Sequence, residues 1–328
     1  MNASIRHALK RSRSAVIVQH LIKNLQSSRR LAEGDVTTAT FAHEQDSAEA
    51  QLAYAETTLE AYREYGELSP EWLLGKHVLE IGHGDTFLVA MLLVMQGAAS
   101  VTCLDRFDVR KNFDTETRAY RYLAERDGNE ASKRLASALD QPDFARVLAD
   151  MGIGYVYMPV EDAASLQPRS FDLILSMATL EHVSDVETSL RAMDTVLRSD
   201  GKMIHCVDLR DHGMFSDGGQ HPLMFLTIPG ALYDHMSKNT GAPNRSRLEA
   251  YQDCLVELGY DVRCAVSRVL GSDAQVGPIS WSDFDVSDFP EARKLVAQVR
   301  RRLQRPYRDA DERSLAVATF GFEARKTH

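Results

Sequence analysis

The chain has 328 residues, a formal net charge of −9 and no apolar run approaching the length of a bilayer span. It is ample to bury a core, long for one domain and short for two, and a membrane-spanning helix is excluded. An acidic body also argues against duplex nucleic acid as a partner, since phosphate contacts need the opposite sign.

Charge is uneven along the chain. Residues 1–30 hold seven Lys or Arg (Arg6, Lys10, Arg11, Arg13, Lys23, Arg29, Arg30) and no acid, so against the total of −9 the remainder carries about −16. With Ile5, Leu9, Val16, Ile17, Leu21 and Leu25 this arm reads as an amphipathic helix. It is expected to dock on the protein's own fold or pair two copies as a homodimer, with an anionic lipid surface as the other reading. Cys103, Cys206, Cys254 and Cys264 lack C-x-x-C pairing and read as reduced core residues of a cytosolic protein. Ala15 to Val18, interrupted by Gln19 and His20, is too short for a secretory leader.

Residues 1–70 are expected as a helical N-terminal extension, and residues 71–328 as the main domain. Within 47–65, Leu52, Ala55, Leu59 and Tyr62 recur at helical spacing, and Ser69-Pro70 closes the segment. Strands are predicted at His77–Ile81, Ser100–Asp105, Tyr155–Val160, Phe171–Ser176, Lys202–Asp208, Tyr260–Val266 and Leu315–Glu323. Seven strands alternating with helices predict an α/β, doubly wound, mostly parallel Rossmann-like sheet. The connections after strands 2 and 5 run to about fifty residues each, far beyond the usual two to six, and are read as insertions. The second should wall an acceptor pocket, because ligands of such sheets bind outside the carboxyl ends of the strands.

The most informative stretch is Val78-Leu79-Glu80-Ile81-Gly82-His83-Gly84-Asp85-Thr86, a buried strand turning through two glycines into the apolar helix that starts near Phe87. About twenty residues later a second strand ends on Asp105, with Arg106 beside it. An acid there accepts from both hydroxyls of a ribose, so the pattern predicts a nucleotide-type cofactor. A dinucleotide is disfavoured on two grounds. Asp85 would repel a pyrophosphate at the helix start, and Phe87 occupies the place of the third glycine. S-adenosylmethionine carries no phosphate, and its ammonium would welcome Glu80 and Asp85.

Here the sequence resembles the class I S-adenosylmethionine-dependent methyltransferases, whose first motif is an acid followed by G-x-G. It looks most like a bacterial type 11-like subgroup in which the loop continues Gly-Asp-Ser/Thr, as in Gly84-Asp85-Thr86. The resemblance covers roughly residues 75–325 and implies a last strand running antiparallel, inserted beside the sixth. It implies that Asp162, or less directly Glu161, meets the adenine amino group, and that the loop Met177-Ala178-Thr179-Leu180-Glu181-His182 lies beneath the transferred methyl. Met177 and Ala178 would then pack on the cofactor. The strings Asp208-Leu209-Arg210-Asp211-His212, Pro222-Leu223 onward and Asn244-Arg245-x-Arg247 resemble the same subgroup, whose settings suggest a saccharide or other small hydroxylated acceptor.

For the chemistry, His212 is the first choice as a base that takes the acceptor's proton, oriented by Asp208 or Asp211, with His182 as the second histidine. A loop-fixing salt-bridge network and a divalent metal on Asp208, Asp211 and His212 are open alternatives; no metal is adopted. The activity expected is O-methylation, with an N-methyltransferase or a non-catalytic cofactor-binding protein as the alternatives.

Overall fold

The computed structural model describes residues 10–33, 47–107, 113–141, 143–272 and 274–327. Arg6, Ile5 and Leu9 of the basic arm lie outside these. Eight strands form one sheet: β1 (His77–Ile81), β2 (Ser100–Asp105), β3 (Ile153–Tyr157), β4 (Phe171–Met177), β5 (Leu197–Asp208), β6 (Tyr260–Val269), β7 (Ile279–Ser280) and β8 (Val317–Lys326). Their order is β3-β2-β1-β4-β5-β8-β6-β7. Strands β1 to β5 pair in parallel, and β8 enters antiparallel between β5 and β6. The chain leaves β1 for β2 on one side and reaches β4 on the other, so a crevice opens above the carboxyl ends of β1 and β4.

Three departures from the sequence expectation have local causes. The additional strand, β7, is two residues long, below what periodicity resolves. Strand β3 starts two residues early because Gly152, at φ +83°, caps the helix before it, and it stops at Tyr157 because Pro159 opens a 3₁₀ turn at Val160–Ser165. Leu315 and Ala316 close a short helix capped by Asp311, so the last strand begins at Val317.

The helical extension is built onto the sheet. Helix α1 (Arg13–Ala32) starts from Ser12, whose hydroxyl accepts from the Ala15 amide. Helix α2 (Ala48–Gly66) starts from Ser47 in the same way and buries Leu52, Ala55, Leu59 and Tyr62 in one core with Val78, Leu173 and Ile204. Its last residue touches the sheet so closely that a Cβ on Gly66 would lie 2.1 Å from Ile204. Ser69 does not merely close the segment; it caps a one-turn helix at Pro70–Leu73.

The long connection after β2 holds three helices, Phe113–Asp127, Glu130–Leu139 and Phe144–Met151. The one after β5 holds α3 (Gly230–Ser237) and α4 (Leu248–Glu257). All four cysteines are buried, and none is in a disulfide. Among the described residues no helix is long and apolar enough to cross a membrane.

Candidate active site

The turn after β1 is shaped by two left-handed glycines, Gly82 at φ +72° and Gly84 at φ +66°. The Gly82 amide donates to the Leu104 carbonyl of neighbouring β2, and its Cα face is closed by Thr179 from the β4 loop. Around Gly84 there is open space: a Cβ there would meet nothing within 4 Å. This is backbone that a ligand can approach closely, and its one nearby charged side chain in the turn is the acid Asp85. Glu80, at the strand end, is 4% exposed and accepts from the Cys103 thiol. The turn therefore suits a cationic ligand without phosphate.

Thr86, just ahead of the helix that starts at Leu88, accepts from the Leu88 amide through its hydroxyl. Phe87 fills the third-glycine place with an aromatic cluster, stacked 4.6 Å from His83 and packed near Phe144 and Tyr155. At the end of β2, Asp105 is half-buried and uses Oδ1 to accept from the Phe107 amide; Arg106 is exposed, its guanidinium over the Phe107 ring. After β3 the two candidate acids part company. Glu161 accepts from the Ser184 and Asp185 amides and so braces the β4 loop, whereas Asp162 stands exposed. Met177 is half-buried, and Ala178 takes a strained φ of +48° while donating to the Cys206 carbonyl.

The densest chemistry sits where the loops after β4 and β5 meet. His212, also left-handed at φ +49°, places Nε2 3.8 Å from Asp208 Oδ2 and 3.8 Å from Glu181 Oε1. His182 stands edge-on to it at 4.8 Å. Burial holds His182 down to about 4, with the His212 charge adding to the effect, so its ring is neutral at neutral pH. Glu181 is 1% exposed. Its own amide and that of Asp208 approach the carboxyl, yet neither oxygen closes a hydrogen bond of good geometry. Burial therefore raises it well above the usual carboxylate range. Burial pushes Asp208 the same way, but Arg210 grips both its oxygens, Nε at 2.9 Å and Nη2 at 2.6 Å, and wins, leaving it below that range. Among the described residues, Glu181, His182 and His212 are the group whose ligand atoms, all within 4.8 Å of one another, could span a cation.

Asp211 does not join this cluster. It is 2% exposed and spends its oxygens on the amides of Gly213, Phe215 and Ser216 and on the Ser216 hydroxyl. It orients the loop rather than the imidazole, and the metal set Asp208, Asp211 and His212 is not assembled. Asp211→Ala is accordingly expected to cost about 2–4 kcal/mol of stability, since it strips buried charge-assisted bonds and strands four donors, three amides and a hydroxyl. A chemical denaturation curve with an unshifted midpoint would contradict that role.

Two contributors leave no signal in the sequence. Glu181 is one, because a buried carboxyl short of hydrogen bonds looks the same in sequence as a solvated one. Tyr54, on α2, is 44% exposed, yet its hydroxyl end is enclosed enough that burial raises it, and the charges of Asp85, Glu181 and Glu80 push the same way. Asn244 ties the parts together: its amide donates to the Glu181 carbonyl, its side chain to Leu180 and Val183, and the buried Arg247 beside it holds the Leu209, Ser314 and Val317 carbonyls.

Residues 79–205, from β1 through most of β5, match the family model described as a methyltransferase domain. This stretch is a class I, S-adenosylmethionine-dependent methyltransferase domain. Two curated relatives of the methyltransferase domain are both named ubiquinone biosynthesis O-methyltransferase, from Neisseria meningitidis serogroup C (strain 053442) and serogroup A / serotype 4A (strain DSM 15465 / Z2491). Each is 33% identical over 129 residues, covering 39% of this chain and 42% of the relative. The chain thus spans about two fifths of the length of the relatives it matches. Similar solved structures include Haemonchus contortus phosphoethanolamine N-methyltransferase 2 in complex with S-adenosyl-L-methionine, 14% identical over 83% of this chain and 53% of that one, TM-score 0.43. Another is an S-adenosylmethionine-dependent methyltransferase from Mesorhizobium loti, 16% identical over 83% and 98%, TM-score 0.39.

Proposed function

We propose that the chain methylates an oxygen of a small hydroxylated acceptor, with the crevice above β1 and β4 holding the methyl donor and the loop after β5 holding the acceptor. The observation that carries this reading is the His212 cluster, which puts an imidazole beside an ionised carboxylate, Asp208, at the carboxyl end of β5. S-adenosylmethionine, when bound, supplies an electrophilic methyl on a sulfonium. The chain's part is to align the acceptor and to remove its proton. Alignment of reactants about 3 Å apart can supply roughly 7–11 kcal/mol of a barrier, and a positioned base roughly 10²–10⁴-fold more. Glu80 and Asp85 would hold the donor's ammonium end, Asp105 its ribose and Asp162 its adenine edge, with Gly82, Gly84, Met177 and Ala178 shaping the walls. The name of the Neisseria relatives supports oxygen as the acceptor atom.

The test has a cofactor arm and an acceptor arm. By calorimetric titration the chain should bind S-adenosylmethionine or its demethylated product and not NAD. Asp105→Ala should lose more than about tenfold in affinity, since each charge-assisted hydrogen bond is worth roughly 1.5–3 kcal/mol before compensation. Binding of NAD alone, or an unweakened variant, would overturn the site assignment. In the acceptor arm, paired phenol, sugar-alcohol and amine acceptors are offered with labelled donor; label appearing on amines alone would move the reading to nitrogen.

A further inference from the structure

The inner side of α1 is fastened to the wall after β5. Val16 is buried, Lys10 pairs with Asp217 at 2.9 Å, Arg13 donates to Thr227, and Asn24 accepts from the Asn239 amide. The outer side is different. Val18, Ile22 and Leu25 are 54%, 50% and 63% exposed, and their spacing of four and three sets them on one line of the helix. Arg29 continues that line by another four residues, Lys23 and Arg30 flank it, and Arg11 lies just ahead of the helix, all exposed. No acid occurs before Glu33, while the rest of the chain carries the negative charge.

Three large apolar side chains facing solvent between cations are a poor surface for water and a good one for an anionic bilayer. A second copy suits them less well. Packing stripe on stripe about a two-fold would bring the cations beside each stripe together, and seating the stripe on another copy's acidic flank would satisfy the cations but set Val18, Ile22 and Leu25 against charged groups. The acidic body, repelled by anionic lipid, would leave the arm as the part that touches. We propose that α1 lies on an anionic lipid surface, inserting Val18, Ile22 and Leu25 between headgroups held by Arg11, Lys23, Arg29 and Arg30. The helix, about 30 Å long, would lie flat and present the loop after β5 at headgroup level.

Vesicle co-sedimentation of the full chain tests this, with phosphatidylcholine alone and with about one-third phosphatidylglycerol added. Binding is expected to the second only and to fade at high salt. The triple change Val18→Ser, Ile22→Ser, Leu25→Ser should weaken it by about tenfold or more, and Lys23→Gln with Arg29→Gln and Arg30→Gln should do the same, each with an unaltered melting temperature. Equal binding by either variant, or none by the parent at low salt, overturns the proposal. So does a fall in sedimentation-derived mass on the serine changes, which would assign the stripe to a second copy. Because the readout is lipid binding, its outcome is separate from that of methyl transfer.

Discussion

His212→Ala is expected to lower turnover by about 100-fold or more while leaving affinity for S-adenosylmethionine intact. Three features of the cluster lead there. Asp208 is held ionised by Arg210, Glu181 is pushed towards its protonated form by burial, and His182 is kept neutral at about 4. That leaves His212, 31% exposed in its side chain, as the imidazole that both reaches solvent and faces an anion. The left-handed backbone at His212 is a cost of roughly 1–3 kcal/mol, of the kind found where geometry serves function. Single-turnover rates with and without a chelator separate two ways of using the same residues. A base mechanism ignores the chelator, whereas a cation held by Glu181, His182 and His212 is lost to it. Near-normal turnover in His212→Ala would defeat the base assignment and make His182 the next residue to replace.

The second large effect is expected at Gly82. A Cβ there would sit 2.2 Å from Thr179 Oγ1 and 2.8 Å from Thr179 Cβ, on a backbone at φ +72°. Left-handed backbone costs a non-glycine residue roughly 1–2 kcal/mol, and overpacking about 1–3 more. Gly82→Ala should therefore lose about 2–5 kcal/mol of stability and nearly all cofactor binding. Thr179→Gly in the same chain should restore the packing part and not the backbone part, a coupling that a double-mutant cycle reads directly. Gly84→Ala is the contrast: with open space around it, only the backbone cost falls on folding, and any further loss must appear in ligand affinity. Additive effects of Gly82→Ala and Thr179→Gly would mean that the two loops do not touch as described.

The parallel sheet was legible because its strands are continuous apolar runs bounded by glycine and acid, and the turn at Gly82 because positive φ leaves a mark in composition. Helix α2 was legible from Leu52, Ala55, Leu59 and Tyr62, whose spacing admits one buried face. What stayed hidden depends on distance across the fold. Asp208 and Asp211 look equivalent beside His212, yet one faces the imidazole and the other is consumed by amides two to five residues on. Glu161 and Asp162 look equivalent too, until the amides of Ser184 and Asp185, more than twenty residues away, claim the first. Glu181 could be ranked only after its burial without a well-made hydrogen bond was known, and Tyr54 only after the enclosure of its hydroxyl end was known.

Asn244 bonds the acceptor-side segment to the loop after β4 at three points, one from its backbone and two from its side chain. On the proposed function, if that wall swings aside to admit an acceptor, it must either break these bonds or drag Leu180–Val183 with it, and with them the floor proposed for the methyl donor. The two ligands would then not be bound independently. Whichever enters first sets the position of the other's seat, and linkage requires the effect to be equal in both directions. Loosening the strap with Asn244→Ala would show as a change in that mutual dependence before it showed in either affinity alone.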